Sequence, residues 1–301
     1  MMEEANFGGL PPEHSDLADC RIAILPVPYD ATSTWVKGAD KGPDAILRAS
    51  ANMELYDIET DSEVYRQGIF TDRPVPNDLS PEAMVAEVRS KVGEHLTNGR
   101  FTIVVGGEHS VSVGAVEAHA AKYAGMSVLQ LDAHSDLRSE YEGSKYNHAC
   151  VMARVQELCP IVQVGIRSMD IGEKPAMDRD RVFFAGEIHG RTDWIDRVVE
   201  KLSDRVYITI DLDAFDPSIM PSTGTPEPGG LLWYDVLTLL KTVCRRRELV
   251  GFDVVELCPV EANWGPDFLA AKLIYKILSY RFGGDYGQEG PSEGTDPPHR
   301  Y

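Results

Sequence analysis

Short and nearly unbroken apolar runs recur along the chain, with longer stretches of helical spacing between them. The apolar runs are RIAILPVP (21–28), FTIVVGG (101–107), MSVLQLD (126–132), PIVQVGI (160–166), RVFFAG (181–186), VYITIDLD (206–213) and LVGFDVVEL (249–257). They are rich in Val and Ile and hardly alternate with polar residues, which predicts strands buried on both faces. Helices are predicted over 80–96, 111–124, 192–204, 232–246 and 268–282. The first opens on Ser80 as a cap, with Pro81 at the first helical position. Strand and helix alternate, so the expected fold is α/β, a mostly parallel sheet with helices on both faces.

No repeat and no internal linker interrupts this order, which predicts one catalytic domain over residues 21–283. Residues 1–20 read as an N-terminal arm, and the Gly, Pro and acidic residues of 284–301 as a disordered tail.

Composition narrows the function. The formal charge of the 301 residues is −19, which argues against a nucleic-acid partner, since phosphate binding needs clustered Lys and Arg. It mildly favours cationic small molecules, within the limits of salt screening, or equally serves solubility alone. The N-terminus lacks a basic region followed by an apolar stretch, and no apolar run reaches the roughly 18 residues that would span a bilayer. Cys20, Cys150, Cys159, Cys244 and Cys258 form no CxxC pair. Reduced thiols in a cytoplasmic protein, with no membrane partner, are the expectation.

In an open α/β sheet, ligands bind beyond the carboxyl ends of the strands, and the distinctive residues fall there. VVGGEHS places Glu108 and His109 after one strand, and LQLDAHSD places Asp132, His134 and Asp136 after the next. ITIDLDAFDP brings Asp211, Asp213 and Asp216, and FDVVELCP ends in Glu256. Singly, each fragment reads as a turn, a cap or a solvated strand end; Asp216, before Pro217, is read as turn chemistry. Together they crowd like charges unless protons or cations neutralise them. A carboxylate and imidazole shell without cysteine suits Mn²⁺, with Zn²⁺, Fe²⁺, Co²⁺ or Ni²⁺ as alternatives. There are too many ligands for one ion, so a two-metal site is expected.

The motifs GGEHS, DAHSD, DLDAFDP, TGTPEPGG and DVVELCP resemble, in order and spacing, those of the ureohydrolase family of arginases and agmatinases, over about residues 21–282. The likeness is closest to agmatinases, notably in EYEGSKYNHACVMARV (140–155). It implies a three-layer α/β/α sandwich and two Mn²⁺ ions per chain sharing a bridging hydroxide. His109, Asp132, Asp136 and Asp211 would hold one ion, and Asp132, His134, Asp211 and Asp213 the other. Thr209 stands where many relatives have serine, a mild change that is expected to be peripheral and not to touch a ligand. Asp136 would orient the hydroxide and take its proton. His148 resembles a proton-shuttling histidine, for which a near-neutral pKa is suited; its bland reading is a helix-start histidine. Glu256 resembles the carboxylate that pairs with the substrate guanidinium. The loop at 223–230 would shape the entrance, or serve only as a tight turn. Homotrimers or homohexamers are implied by the resemblance alone.

The expected substrate is a guanidino compound. The loop 137–149 lacks the Asn- and Thr/Ser-rich sequence that resembles arginase's amino-acid clamp, so agmatine, giving putrescine and urea, is expected first. Aminopropylagmatine, carboxylated agmatine, guanidinobutyrate, guanidinopropionate, guanidine and arginine are the alternatives. A one-zinc deacetylase-like amidohydrolase would call for adjacent histidines, and no His-His occurs. A metal-stabilised regulator without turnover is the third reading. His14, His95, His119, His189 and His299 are assigned structural or surface places, and Cys150 to packing.

Overall fold

A computed structural model of the protein describes residues 6–284. Residues 1–5 and all but the first residue of the tail expected at 284–301 lie outside the described residues. Eight strands form one sheet: β1 Ile22–Val27, β2 Ile69–Thr71, β3 Phe101–Gly106, β4 Ser127–Leu131, β5 Ile161–Ile166, β6 Val182–Phe184, β7 Arg205–Asp211 and β8 Glu248–Val255. Their spatial order is β2-β1-β3-β8-β7-β4-β5-β6, and every pairing is parallel.

Successive side chains of a strand point to opposite faces, and both faces are covered. Ile103 and Val105 belong to one core with α1 (Gly42–Ser50), α6 (Trp194–Lys201), α7 (Trp233–Arg246) and α8 (Gly265–Phe282). Val104 belongs to the other, with α2 (Pro81–Thr97), α3 (Ser112–Lys122) and α4 (Val151–Val155). The result is the three-layer α/β/α sandwich, and its unbroken apolar strands have this double burial as their cause. Ser80 caps α2, accepting from the Ala83 N–H at 3.3 Å.

Some elements exceed what the hydrophobic pattern predicts. β2 is only three residues long and carries too little periodicity to be read. α1 begins on Gly42–Pro43, which resembles a turn in isolation. Short α5 (Ala185–Ile188) is likewise added. Residues 6–20 lie against this body: Phe7 is buried, and its N–H donates to Thr71 Oγ1 at 2.9 Å.

β3, β8, β7 and β4 are neighbours in the middle of the sheet. These are the four strands whose carboxyl ends carry the carboxylates and histidines, so one crevice gathers them all. Among the described residues, no helix is long and apolar enough to cross a membrane. All five cysteines are free.

Candidate active site

β3 ends at Gly106, crowded by Val111 and Val255, and is followed by Gly107, where the segment beyond β1 comes close. A side-chain carbon at Gly107 would lie 2.1 Å from the carbonyl oxygen of Tyr29, a contact that only glycine avoids. The chain then turns, with the Glu108 N–H donating to Tyr29 O at 2.8 Å, and presents His109 to the crevice.

The ring of His109 is oriented from behind. Thr209 Oγ1 donates to Asp253 Oδ1 at 2.6 Å, so it accepts from the His109 Nε2–H at 2.9 Å. The lone pair of Nδ1 therefore faces forward. It meets Asp132 Oδ2 and Asp136 Oδ2, each at 3.1 Å, and Asp211 Oδ2 at 3.4 Å. Nδ1 is buried and has no hydrogen-bond partner. A lone pair aimed at three carboxylates is repulsive unless positive charge lies between them. Orientation by a hydrogen bond to the far ring nitrogen is typical of histidine metal ligands. Thr209 thus touches His109 directly, which corrects the expectation that its exchange for serine is peripheral; the hydroxyl common to both residues makes the contact.

On the other side, His134 Nδ1 lies 2.9 Å from Asp213 Oδ2 and 3.7 Å from Asp132 Oδ1. Two groups of ligand atoms result, each within 4.8 Å: His109, Asp132 and Asp211, and Asp132, His134 and Asp213. Asp132 belongs to both. The donors are nitrogen and oxygen without sulfur, a set suited to Mn²⁺-type ions rather than to thiolate-bound ones.

The electrostatics agree. Burial opposes the charge on His109, but the surrounding carboxylates outweigh it and raise its pKa well above the ordinary value. His134, despite burial, is raised to about 12 by Asp213 and Asp132. Burial and neighbouring Asp213 and Asp132 push Asp211 well up; burial and Asp132 raise Asp136 to about 6. The cluster draws protons whenever no cation sits within it. It fits divalent metal.

All six expected ligand residues meet here. Glu256 joins them: its Oε1 accepts the His109 N–H at 2.7 Å. Asp136 and Glu256 both take left-handed backbone, with φ of 52° and 67°. For Glu in particular this is strained and points to a functional site. Two other acids of the rim serve elsewhere. Asp216 accepts from the N–H groups of Ser218, Gly229 and Gly230, each at 3.0 Å, which is the expected turn chemistry. Glu108 turns away from the cluster toward Thr32 and Ser33.

A cavity of about 200 Å³ opens above the cluster, and His148, Tyr141 and Ala149 of the 137–149 loop line it, as do Gly224 and Thr225 of the 223–230 loop. Glu140, Glu142 and Lys145 do not. The pKa of His148 departs from the near-neutral expectation: burial, helped by positive His109 and His134, lowers it to about 4. Trp35, Asp170 and Glu173 also line the cavity and were not singled out from sequence. SMDIGE, directly beyond the β5 strand end, was the available signal for the last two. Arg167 was missed as well; it ties this rim together by donating to the carbonyls of Asp213 at 2.6 Å and Glu227 at 2.9 Å.

An α/β/α sheet that gathers carboxylates and imidazoles, a candidate set of metal ligands, beneath a cavity at its carboxyl edge has the architecture of a metal-dependent hydrolase. Comparison with known proteins narrows the class. The family model described as Arginase family matches residues 20–279, and the chain belongs to this family; it is a ureohydrolase. Over 275 residues it is 38% identical to an N(1)-aminopropylagmatine ureohydrolase of Synechocystis, covering 87% of this chain and 90% of that protein. A Thermus thermophilus protein of the same name is 40% identical, covering 87% and 91%. The crystal structure of agmatine ureohydrolase of Thermoplasma volcanium superposes with a TM-score of 0.81 at 32% identity, covering 94% of this chain and 95% of that one.

Proposed function

We propose that the protein hydrolyses the guanidinium group of a polyamine-type compound, releasing urea and an amine, with N(1)-aminopropylagmatine as first candidate and agmatine as second. The observation that carries this reading is the shared cavity, in which Glu256 stands beside a cluster that demands cations. The relatives' names support the aminopropyl compound ahead of the agmatine expected from sequence.

His109, Asp132, Asp136 and Asp211 would hold one cation, and Asp132, His134, Asp211 and Asp213 the second; Mn²⁺ is the proposed metal. When bound, such a pair supplies a water acidic enough to act as nucleophile near neutral pH. The chain's own groups do the rest. One oxygen of Glu256 is anchored by the His109 N–H, which leaves the other to accept from the substrate guanidinium. Burial and nearby Glu108 raise the Glu256 pKa well above the ordinary value, and a cationic substrate reverses that pressure. Asp136 accepts the proton shed by the nucleophile and passes it to the leaving nitrogen. His148, neutral at pH 7, relays a proton from solvent to the departing amine. One C–O bond forms and one C–N bond breaks.

The outer wall favours an amine over an amino acid. Arg138 is the one Arg or Lys among the described lining residues, and it is held by Glu173 at 3.2 Å and Asp170 at 3.7 Å. A substrate carboxylate would find no unpaired cation there. Distal ammonium groups would find Asp170, Tyr141 and Trp35 in the cavity wall.

The test is urea release by the Mn²⁺-loaded protein from aminopropylagmatine, agmatine, guanidinobutyrate, arginine and guanidine, with His134→Ala as the blank. Aminopropylagmatine is expected to exceed agmatine in kcat/KM by about tenfold or more, the scale of one added recognised group. Arginine faster than both would refute the polyamine reading. No urea from any compound, with two metal equivalents bound, would refute the ureohydrolase reading itself.

Metal binding should depend on pH with a definite sign. The pKa values of His109 and His134 are both raised, so at pH 7 cations must displace protons from these rings. Affinity should rise with pH, on the order of tenfold per unit for each proton displaced. Calorimetry between pH 6 and 8, in buffers of different ionisation enthalpy, should show proton release; pH-independent affinity would contradict the assignment.

A further inference from the structure

We propose that Thr32 and the buried Glu108 are positioning residues that fix the tautomer of His148, with its Nδ1–H directed at Thr32 and Nε2 left free for proton transfer. This rests on the proposed role of His148 as proton carrier. Thr32 and Glu108 lie outside both ligand groups, and nothing in the metal cluster calls for them.

The hydrogen bonds leave one arrangement. Glu108 is 0% exposed and faces four donors. Its Oε2 accepts from the backbone N–H of Thr32 at 2.5 Å and of Ser33 at 3.0 Å. Its Oε1 is 2.6 Å from both Thr32 Oγ1 and Ser110 Oγ. Four donors on two oxygens are the complement of a carboxylate. The single hydroxyl proton of Thr32 therefore goes to Glu108. Oγ1 keeps only lone pairs for its other contacts, and both are with His148. It accepts the backbone N–H of His148 at 3.0 Å and lies 3.3 Å from the ring Nδ1. An acceptor opposite Nδ1 requires the proton on Nδ1, which makes Nε2 the basic nitrogen.

Free histidine favours the opposite tautomer, with the proton on Nε2, so the protein has to impose this one. Asn147 helps to set the turn by accepting the Ala149 N–H at 3.0 Å. The Tyr141 ring stands across His148 edge to face, with centroids 6.3 Å apart, but offers no bond to either nitrogen. Thr32 alone reads the ring, through its hydroxyl at Nδ1 and with its backbone beside the imidazole as well. The buried carboxylate behind it explains why Thr32 Oγ1 acts only as an acceptor toward His148. Burying Glu108 costs free energy and raises its pKa; four converging donors offset that cost.

Four full-length variants separate this inference from the reading beneath it: His148→Ala, Thr32→Val, Thr32→Ser and the Thr32→Val/His148→Ala double variant. Thr32→Val keeps the shape and removes the hydroxyl. It is expected to lower kcat for urea release about 10²-fold, the lower range for a general acid–base group and well below the loss reported for a wrong catalytic tautomer, with KM changed less than about twofold. Thr32→Ser should restore kcat, and Thr32→Val should add nothing once His148 is alanine. Long-range ¹H–¹⁵N spectra of the histidine rings, on protein loaded with diamagnetic Zn²⁺, should place the His148 proton on Nδ1 in the unmodified protein and Thr32→Ser. In Thr32→Val it should move to Nε2.

Undiminished kcat in Thr32→Val while His148→Ala is slow would overturn the inference and leave the role of His148 standing. Full activity of His148→Ala would instead overturn that role. If Thr32→Val does not fold, the unmodified spectrum still decides, because a proton on Nε2 there contradicts the inference directly.

Discussion

Asp132→Asn is expected to reduce urea release by at least about 10³-fold, because removing one member of a unit that acts together forfeits most of its effect. Asp132 is the residue common to both ligand groups. Its Oδ2 faces His109 Nδ1 at 3.1 Å, and its Oδ1 accepts the His134 N–H at 2.6 Å. Asparagine keeps the size and one carbonyl oxygen, so the turn at Ala133 and His134 should survive. What it loses is negative charge at the centre of the cluster. The second readout is therefore metal-linked stability. Ligand binding at about 1,000 times its dissociation constant stabilises a protein by roughly 4 kcal/mol, and Mn²⁺ should raise the melting temperature of the unmodified protein accordingly. In Asp132→Asn the shift should vanish. Two retained metal equivalents with normal turnover would show that the Asp132 carboxylate is not needed to hold the ions.

Glu256→Gln should separate substrate binding from metal binding. The backbone of Glu256 is strained at φ 67°, and its N–H donates to Gly107 O at 2.7 Å. Glutamine preserves both the carbonyl that accepts the His109 N–H and the shape of the site. It removes the charge proposed to face the guanidinium. Leaving a buried charge without its partner costs about 2–5 kcal/mol, so kcat/KM should fall by roughly 10² to 10³-fold or more. Metal content and the Mn²⁺-induced melting shift should stay as they were. A loss of metal together with activity would instead place Glu256 within the metal shell. An unchanged kcat/KM would remove it from substrate recognition.

Much of the site was legible because local rules bear on it. Strands buried on both faces show as unbroken Val and Ile runs, and polar residues can enter such a chain only where the strand ends. Asp132, His134, Asp211, Asp213 and Glu256 were located by that rule. The glycines before Glu108 read only as a turn, and the close approach of Tyr29 to Gly107 belongs to the folded chain. Asp216 showed its turn role through Pro217. The pKa of His148 was not legible, since burial and the charges of His109 and His134 are properties of the assembled site.

By itself, then, the sequence determined the layered α/β architecture, the rim on which the chemistry lies and the kinds of ligand atom gathered there. These depend on periodicity and on residue type, which are local. The tertiary structure alone decided that β7 and β8 lie between β3 and β4, which pairs Thr209 with Asp253 across neighbouring strands and turns His109 toward the carboxylates. It alone brought Thr32 to Glu108, 76 residues away, and to His148, 116 residues away. It also placed Asp170 and Glu173 in the cavity wall. Strand order and loop contacts arise from competition among many possible long-range pairings, and no local pattern records which of them buries the most surface while satisfying every buried polar group.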